Sequence, residues 1–193
     1  MSGPSGADLD RAWRVISAQL APTPLLPSPA LGDGIQLKLE IWQPTGAFKV
    51  RGALAALSRE SPAGAGVVTA STGNHALGVA FAASRLGVPA TVVVPENASP
   101  AKLAALGRFR ARVVTHGDSY DAAERHALDL AQSGPRFLSS CSDPEVIAGQ
   151  STIGTELLAQ VPGPVTVICG VGGGGPASGL GLAAARSGRM PWR

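Results

Sequence analysis

The stretch QPTGAFKVRGA, Gln43 to Ala53, places a lysine where a helix is expected to begin. Pro44 and Gly46 are turn residues, and the run that follows Lys49 is apolar at helical spacing. The positive end of a helix and a partly dry pocket both favour a neutral amine over an ammonium group. Lys49 is therefore a candidate nucleophile, although the stretch taken alone fits an ordinary solvated lysine beside a core phenylalanine better.

The rest of the chain alternates short β-branched runs with alanine-rich amphipathic runs. The runs typical of strands are IQLKLE (35–40), GVVTA (66–70), ATVVVP (90–95), ARVVTHG (111–117), RFLSS (136–140) and PVTVICG (164–170). The runs typical of helices span residues 48–60, 74–86, 100–107, 119–133, 145–160 and 176–187. This alternation predicts βαβ units, and hence an α/β fold with mainly parallel sheets. In such sheets ligands bind at the carboxyl ends of strands, where turns open the following helices.

Local signals mark the ends of several of these helices. Ser99 followed by Pro100 is typical of a helix start, and Asp118 or Ser119 is expected to cap the next helix. Gly87 lies just past a helix end, where glycine adopts the left-handed conformation at little cost.

A second turn, STGNHA, directly follows the predicted strand GVVTA. Ser71 and Thr72 are expected to cap the helix, while Gly73 lets the backbone approach a ligand. Free N–H groups at this helix start would bind an anion such as a carboxylate, and the Asn74 amide could bond a phenolic oxygen. A plain helix cap with a packed His75 explains this turn, taken alone, equally well.

A third turn, GVGGGG (170–175), lies between a predicted strand and a predicted helix, and we call it the glycine loop. Its glycines leave no side chain between a ligand and the backbone amides, so on physical grounds it is a phosphate site. Gly170, Gly172 and Gly175 also match the GxGxxG fingerprint of dinucleotide-binding proteins, which needs an acidic residue about twenty positions further on. No Asp or Glu follows Glu156, so the dinucleotide interpretation fails.

Composition excludes several other classes of protein. The 193 residues are 45% hydrophobic and 15% charged with a mild net charge of +3, which predicts a globular chain with a real core. Arg108, Arg110 and Arg112 form no long basic and aromatic pattern, so no nucleic-acid partner is expected. No secretory signal and no long apolar run is evident, which predicts a cytoplasmic protein without a membrane span. Cys141 and Cys169 lack metal-site spacing and are expected to be buried thiols, with no metal bound.

The three turns together match one cofactor, pyridoxal phosphate, which carries an aldehyde, a phenolic oxygen and a phosphate. The sequence also resembles the threonine/serine dehydratase and serine racemase family of pyridoxal-phosphate enzymes, which have the tryptophan synthase β-subunit fold. The resemblance runs from about Thr23 to Gly188. The segments that carry it, in the family's order and spacing, are KLEIWQPTGAFKVRGA, STGNHALGVA, VVVPENASPAKLAAL, AGQSTIGTEL and GVGGGGPASGL.

The resemblance implies a role for each residue of the three turns. Lys49 would form the Schiff base with the cofactor and later act as the base at the substrate α-carbon. Phe48 would pack against the pyridine ring, and Asn74 would hydrogen-bond the cofactor 3-hydroxyl. The backbone and side chains that would hold the substrate carboxylate belong to Ser71, Thr72, Gly73, Asn74 and His75. The residues that would bind the cofactor phosphate are Gly172, Gly173, Gly174 and Gly175.

The resemblance also implies a two-lobed pyridoxal-phosphate fold of type II that is truncated at the C-terminus. Residues 46–145 would form the small lobe, and residues 1–45 and 146–193 an incomplete large lobe, with the cofactor between them. Family chains are normally longer, and the final SGRMPWR does not fit a following strand, so the family's C-terminal third is expected to be lacking. We therefore expect a homo-oligomer, and a poor enzyme when the 193-residue chain is alone.

The function that the resemblance implies is β-elimination from threonine or serine, which gives a 2-keto acid and ammonia. The cofactor phosphate would protonate the departing hydroxyl. His75 and FKVRGA favour this dehydratase branch over the sulfhydrylases of the same fold. Thr72 occupies the position of the racemase serine and keeps a hydroxyl, so serine racemase is an alternative, as is a non-catalytic remnant that binds phosphate compounds or a partner chain. Ala47 and Pro176 depart from the family pattern at tolerant positions.

Overall fold

The computed structural model describes residues 3–188, and within that range the chain forms seven α-helices and six strands. The helices are α1 (Gly6–Gln19), α2 (Lys49–Leu57), α3 (Asn74–Leu86), α4 (Pro100–Leu106), α5 (Tyr120–Ala131), α6 (Pro144–Gln160) and α7 (Gly175–Arg186). The strands are β1 (Leu25–Pro27), β2 (Gln36–Lys38), β3 (Val67–Ala70), β4 (Ala90–Val94), β5 (Arg112–Thr115) and β6 (Arg136–Phe137). Short 3₁₀ turns at Pro29–Leu31 and Glu40–Trp42 flank β2.

A parallel sheet in the order β5-β4-β3-β6 lies between helices on both of its faces. Successive strand residues point to opposite faces, so Val93 packs with α5, whereas Val92 and Val94 pack with α3 and α4. Burial on both faces explains why the central strands β3 and β4 are nearly continuous apolar runs. Because β3 and β6 are neighbours, with Val68 opposite Phe137, the loops that follow these two strands lie side by side.

Helix α2 lies between α3 and α6, and residues 50–57 are all buried. Two glycines permit this close packing. A Cβ on Gly78 of α3 would come within 3.0 Å of the Lys49 carbonyl oxygen, and a Cβ on Gly149 of α6 within 2.5 Å of the Arg51 carbonyl oxygen. The backbone of the first turn of α2 is therefore fixed from two sides, which determines the position from which the Lys49 side chain extends.

A buried arginine joins α2 to two other parts of the chain. Arg51 is 0% exposed, and each of its five N–H groups has an acceptor. It makes bidentate pairs with Glu40, at 2.8 Å for both bonds, and with Glu156, at 2.6 and 2.9 Å, and it donates to Thr152 Oγ1 at 3.1 Å. Lys38 Nζ adds a bond of 2.5 Å to Glu156. We call these five residues the Arg51 network.

The Arg51 network also determines the charge of its members. Burial raises the pKa of Glu156, but the hydrogen bonds from Arg51 and Lys38 outweigh burial and leave that pKa below its ordinary value of 4.5. Burial lowers the pKa of Arg51, while the hydrogen bonds to Glu40 and Glu156 outweigh it and raise that pKa. Arg51 and Glu156 are therefore both charged at neutral pH.

The predicted helices are confirmed, and one predicted strand is wrong. The helix expected at 74–86 is α3 residue for residue, and the other predicted helices differ from α2 and α4–α7 by at most three residues at either end. Residues 164–170, predicted as a strand, pair with no other strand of the described residues. Their backbone groups consequently have no ladder partner, and Ile168 is 93% exposed.

The N-terminal part departs further from the prediction. Helix α1 was not predicted, although Ser5 and Asp8 form a capping box at its start, which is a recognisable sequence signal. The strand expected at 35–40 within parallel sheets is β2, which pairs antiparallel with β1 in a separate two-stranded ribbon. The connection between β1 and β2 is too short for a parallel crossover, so only the antiparallel arrangement is open to it.

The caps expected at Ser99 and Ser119 are confirmed, as is the left-handed Gly87. The expectation of buried thiols is wrong, because Cys141 is half-buried and Cys169 is exposed, both in loops.

The remaining predictions concern absences, the chain end and the lobes. No helix within residues 3–188 has the length and apolar character of a membrane span, and no group of three acidic, histidine or cysteine side chains in that range is placed to hold a metal ion. The SGRMPWR tail lies outside the described residues beyond Gly188. The division into lobes stays a prediction.

Removal of one carboxylate of the Arg51 network should destabilise the fold in a pH-dependent way. Glu156→Gln leaves two cations facing one carboxylate, and we expect a loss of about 3–5 kcal/mol in the free energy of unfolding at pH 7. Because the folded-state pKa of Glu156 is lowered, its contribution is present above pH 4.5 and is lost as the pH falls through the folded pKa. Urea denaturation at several pH values measures both effects.

The matched control is Glu60→Gln, which removes a more exposed ion pair with Arg136. Its cost should be at most about 1 kcal/mol. An equally steep loss of stability below pH 4.5 in wild type and Glu156→Gln would contradict the assignment.

Candidate active site

Lys49 is the first residue of α2, and its amine lies beside the loop that follows β6. Lys49 Nζ donates to the Ser140 carbonyl oxygen at 2.8 Å, and it lies 4.0 Å from Cys141 Sγ and 5.4 Å from the centre of the Phe48 ring. Phe48 also packs with apolar residues of α6 and α7, among them Ile153. Within residues 3–188 no carboxylate pairs with Lys49, so the amine is held by a carbonyl oxygen and not by a counter-ion.

The segment Leu138–Cys141 brings two of the three predicted turns together. The Leu138 carbonyl oxygen lies 3.4 Å from His75 Nε2, and the Ser140 carbonyl oxygen accepts from Lys49. Since β3 and β6 are adjacent, this segment lies directly beside the loop after β3. It is therefore the structural link between the lysine turn and the STGNHA turn.

Polar contacts fix the position of this segment. Thr69 Oγ1 on β3 donates to the Leu138 carbonyl oxygen at 2.8 Å. The Ser139 hydroxyl accepts from the Ser142 N–H at 3.3 Å and from the Ser142 hydroxyl at 2.8 Å. At the ends of the segment Arg136 makes an ion pair with Asp143. The carbonyl groups that face Lys49 and His75 are thus held on a rigid loop.

The STGNHA turn leaves the start of α3 free of side-chain caps, which corrects the predicted capping. Gly73 occupies the N-cap position, and the Ser71 hydroxyl accepts from the Gly73 N–H at 3.1 Å without reaching the helix. Ser71 and Thr72 lie too early in the chain to cap α3. The first N–H groups of α3 therefore remain available, which strengthens the case for an anion-binding turn.

An open cleft lies beside this turn, between α3 and α4. The residues that line it are Thr72, Gly73, Asn74, Leu77, Ala101, Lys102, Ala105 and Leu106. Lys102 gives the cleft a positive charge beside the start of α3, so an anionic group suits it. Lys49 does not line this cleft. His75, which follows Asn74 in the chain, contacts the Leu138–Cys141 segment that holds the Lys49 amine.

His75 is a buried, neutral side chain. It is 3% exposed, and because Nε2 faces the Leu138 carbonyl oxygen, Nε2 must carry the proton. Burial, and to a smaller extent the positive charge of Lys49, lowers the pKa of His75 to about 4. Nδ1 is then a bare acceptor, and it has no partner among the described residues. An unsatisfied buried acceptor beside a candidate site can accept a hydrogen bond from a ligand or from a water molecule.

The glycine loop lies against the same segment as Lys49. Gly174 has φ +81°, a left-handed conformation that favours glycine, and it precedes α7, which has no side-chain cap. A Cβ on Gly173 would lie 2.3 Å from Cys141 Sγ, whereas a Cβ on Gly172 would meet nothing within 4 Å. Cys141 thus contacts both the glycine loop and the Lys49 amine, so one small ligand can reach both.

Ser140 and Cys141 are site residues that the sequence interpretation missed. Cys141 was assigned to the core because its spacing suits no metal site. The sequence nevertheless carries a signal for both residues, since Ser140 ends the predicted strand 136–140, Cys141 follows it, and ligands bind at the carboxyl ends of parallel strands.

An α/β fold with a lysine, an uncapped helix start and a glycine loop around one rigid segment defines a site for a phosphate-bearing aldehyde cofactor. The family described as pyridoxal-phosphate dependent enzyme matches residues 16–191. The chain belongs to this family.

Individual relatives agree with the family. The chain is 44% identical over 160 residues to an L-threonine ammonia-lyase of Geobacter sulfurreducens, which covers 81% of this chain and 40% of the relative. It is 41% identical over 184 residues to an L-threonine ammonia-lyase of Thermotoga maritima, which covers 91% of this chain and 46% of the relative. The chain thus spans less than half the length of these two curated relatives.

Among solved structures, maize serine racemase superposes with a TM-score of 0.90 at 30% identity, over 97% of this chain and 59% of that one. The predicted type II fold of the pyridoxal-phosphate enzymes is therefore confirmed.

The donor groups present fit pyridoxal phosphate. An amine without a counter-ion suits an aldehyde, and a side-chain-free loop at a helix start suits a phosphate. His75 Nδ1 can accept a hydrogen bond from a second ligand, and the uncapped N–H groups at the start of α3 can donate hydrogen bonds to it.

His75 should make stability depend on pH in a specific window. Because its folded-state pKa of about 4 lies below the ordinary 6.5, the unfolded chain takes up a proton that the folded chain does not between these values. Wild-type stability should therefore fall by up to about 3 kcal/mol from pH 6.5 to pH 4. In His75→Gln this fall should be absent. Urea titrations of both proteins measure it, and equal slopes in the window would contradict the prediction.

The contact between Cys141 and the glycine loop can be tested by adding a methyl group. Gly173→Ala should destabilise the fold by about 1–3 kcal/mol, because the new Cβ overlaps Cys141. Gly172→Ala, which meets open space, is the matched control and should be close to neutral. Cys141→Gly should restore most of the stability lost in Gly173→Ala. Equal effects of the two alanines in thermal denaturation would show that the loop does not pack on Cys141.

Proposed function

We propose that this chain forms the cofactor-binding portion of a pyridoxal-phosphate-dependent threonine/serine dehydratase, an ammonia-lyase that gives a 2-keto acid and ammonia by β-elimination. The observation that supports it most is that Lys49 Nζ and Gly173 both lie against Cys141. An amine nucleophile and a phosphate loop thereby meet at one place, on strand and helix ends that ordinarily bind ligands.

Lys49 is proposed as the residue that binds the cofactor aldehyde and moves the α-proton of the substrate. Pyridoxal phosphate, when bound, supplies an electron sink that makes this proton acidic. The Ser140 carbonyl oxygen orients the free amine at 2.8 Å, and the glycine loop residues Gly172–Gly175 are proposed to hold the phosphate. Phe48, whose ring centre lies 5.4 Å from Nζ, is proposed to pack against the cofactor ring.

The STGNHA turn is proposed to hold the amino-acid substrate and the cofactor hydroxyl. The free N–H groups at the start of α3 suit a carboxylate, and the exposed Asn74 amide suits the phenolic oxygen of the cofactor. Ser71, Thr72 and Gly73 complete the turn around the carboxylate. His75 stays neutral near pH 7, so its proton remains on Nε2 and the turn keeps one geometry during a reaction.

Threonine is the favoured substrate, with serine as the smaller variant, because the two curated relatives described above are L-threonine ammonia-lyases. Serine racemase is the second candidate, since Thr72 keeps a hydroxyl at the turn and maize serine racemase has the same fold. We further propose a cytoplasmic homo-oligomer, with the small lobe at residues 46–145 and the cofactor between the lobes.

Replacement of Lys49 by alanine tests this proposal. Wild-type protein mixed with pyridoxal phosphate should develop a visible absorption band, which Lys49→Ala should lose together with all turnover while it keeps part of the phosphate-dependent binding. Lys102→Ala, which alters the other lysine near the turn, is the control and should keep the band.

Product analysis then separates the candidate reactions. Release of a 2-keto acid from threonine supports the dehydratase, and D-serine formed from L-serine supports the racemase. A band or keto-acid release that survives in Lys49→Ala would refute the role of Lys49. Phosphate binding without any band in wild type would support the non-catalytic remnant.

A further inference from the structure

Lys49 and Arg51 leave the first turn of α2 on opposite sides. Residues two positions apart in an α-helix, such as Lys49 and Arg51, are separated by about 200° of rotation around the helix axis. The Lys49 amine accordingly reaches Ser140 beyond one side of the helix, while the Arg51 side chain meets Glu40 and Glu156 on the other. Any rotation of α2 that displaces one side chain therefore displaces the other.

The bonds of Arg51 define one orientation of α2. All five N–H groups are used in two bidentate pairs and one hydroxyl bond, and a planar guanidinium matches two carboxylates only in fixed geometry. A small rotation of the helix would break bonds to Glu40 and Glu156 at once and leave buried charge unpaired. A lysine at this position could not reproduce the two parallel pairs.

The carboxylates come from the two parts of the chain that flank the site. Glu40 begins the 3₁₀ turn that leads into the turn at residues 44–46 before Lys49. Glu156 lies on α6, which packs against α2. Thr23 reinforces both, since its N–H donates to Glu156 at 3.2 Å and its hydroxyl to Glu40 at 2.6 Å. The network thus holds the segment before Lys49 and the helix after it in one frame.

We infer that Arg51 is a positioning residue, which sets the orientation of the Lys49 amine for its reaction with an aldehyde through the bidentate pairs with Glu40 and Glu156. This inference rests on the proposed function, in which Lys49 is the reacting amine. Arg51 itself does not touch the reacting atoms, because its donors are all occupied on the other side of α2.

The chain offers a matched control for Arg51. Arg59, just beyond the end of α2, also pairs with two carboxylates, Asp8 at 3.3 Å and Glu145 at 2.6 Å, but its side chain is 53% exposed. Arg51→Lys and Arg59→Lys make the same chemical change at the two sites. Only the first should alter the orientation of Lys49.

The readout uses the exposed Lys102 as an internal reference for Lys49. Folded protein is incubated with pyridoxal phosphate and reduced with borohydride. Tandem mass spectrometry then quantifies the label at Lys49 and at the exposed Lys102 residue by residue, which separates Lys49 from the lysine introduced at position 51. The ratio of the two labelling rates reports the geometry of the amine when it is measured under conditions in which circular dichroism shows each variant to be fully folded. We expect Arg51→Lys to lower the ratio by about tenfold, and Arg59→Lys to change it by less than about twofold.

Glu40→Gln serves as a second variant if Arg51→Lys does not fold, because it breaks one bidentate pair and leaves Arg51 paired with Glu156. It should lower the ratio in the same direction. An unchanged ratio in a folded Arg51→Lys or Glu40→Gln protein would overturn the positioning role. No preference for Lys49 in the wild-type protein would instead refute the proposed function, so the two failures are distinguishable.

Discussion

The buried guanidinium of Arg51 is the constraint on which the rest of the structure depends. A charge that is fully removed from water must be paired, and here two carboxylates from distant parts of the chain are required to pair it. The 3₁₀ turn with Glu40, the first turn of α2 and the middle of α6 can therefore meet in only one arrangement. Close packing at Gly78 and Gly149 then brings α3 and α6 onto the same turn.

That arrangement places Lys49 opposite the rigid loop after β6. Parallel pairing of β3 with β6 sets the loop beside the STGNHA turn, and Cys141 sets it against the glycine loop. Three short segments that are far apart in the sequence thereby contact the Leu138–Cys141 segment. The chemistry of the proposed site is local to each turn, but its assembly follows from the sheet and from the Arg51 network.

Some of this could be predicted from the sequence, and the limit has a physical basis. Helix α3 and the caps at Ser99 and Ser119 depend on residues that are neighbours in the chain, so periodicity and capping signals were sufficient. The failed strand at 164–170 needed a partner strand, which no local pattern reveals. Cys141 and the burial of Arg51 likewise depend on contacts with distant segments. An arginine at a helix start is ordinarily exposed, so the sequence carried no sign of its role.

The central claim is that the Lys49 amine and the glycine loop serve one ligand. It is tested most directly by comparing pyridoxal phosphate with pyridoxal, which has the same aldehyde and no phosphate, in borohydride trapping of the wild-type chain. Lys49 should be labelled much faster by pyridoxal phosphate, and phosphate ions should compete. Equal labelling of Lys49 by the two aldehydes, with no effect of phosphate, would contradict the claim.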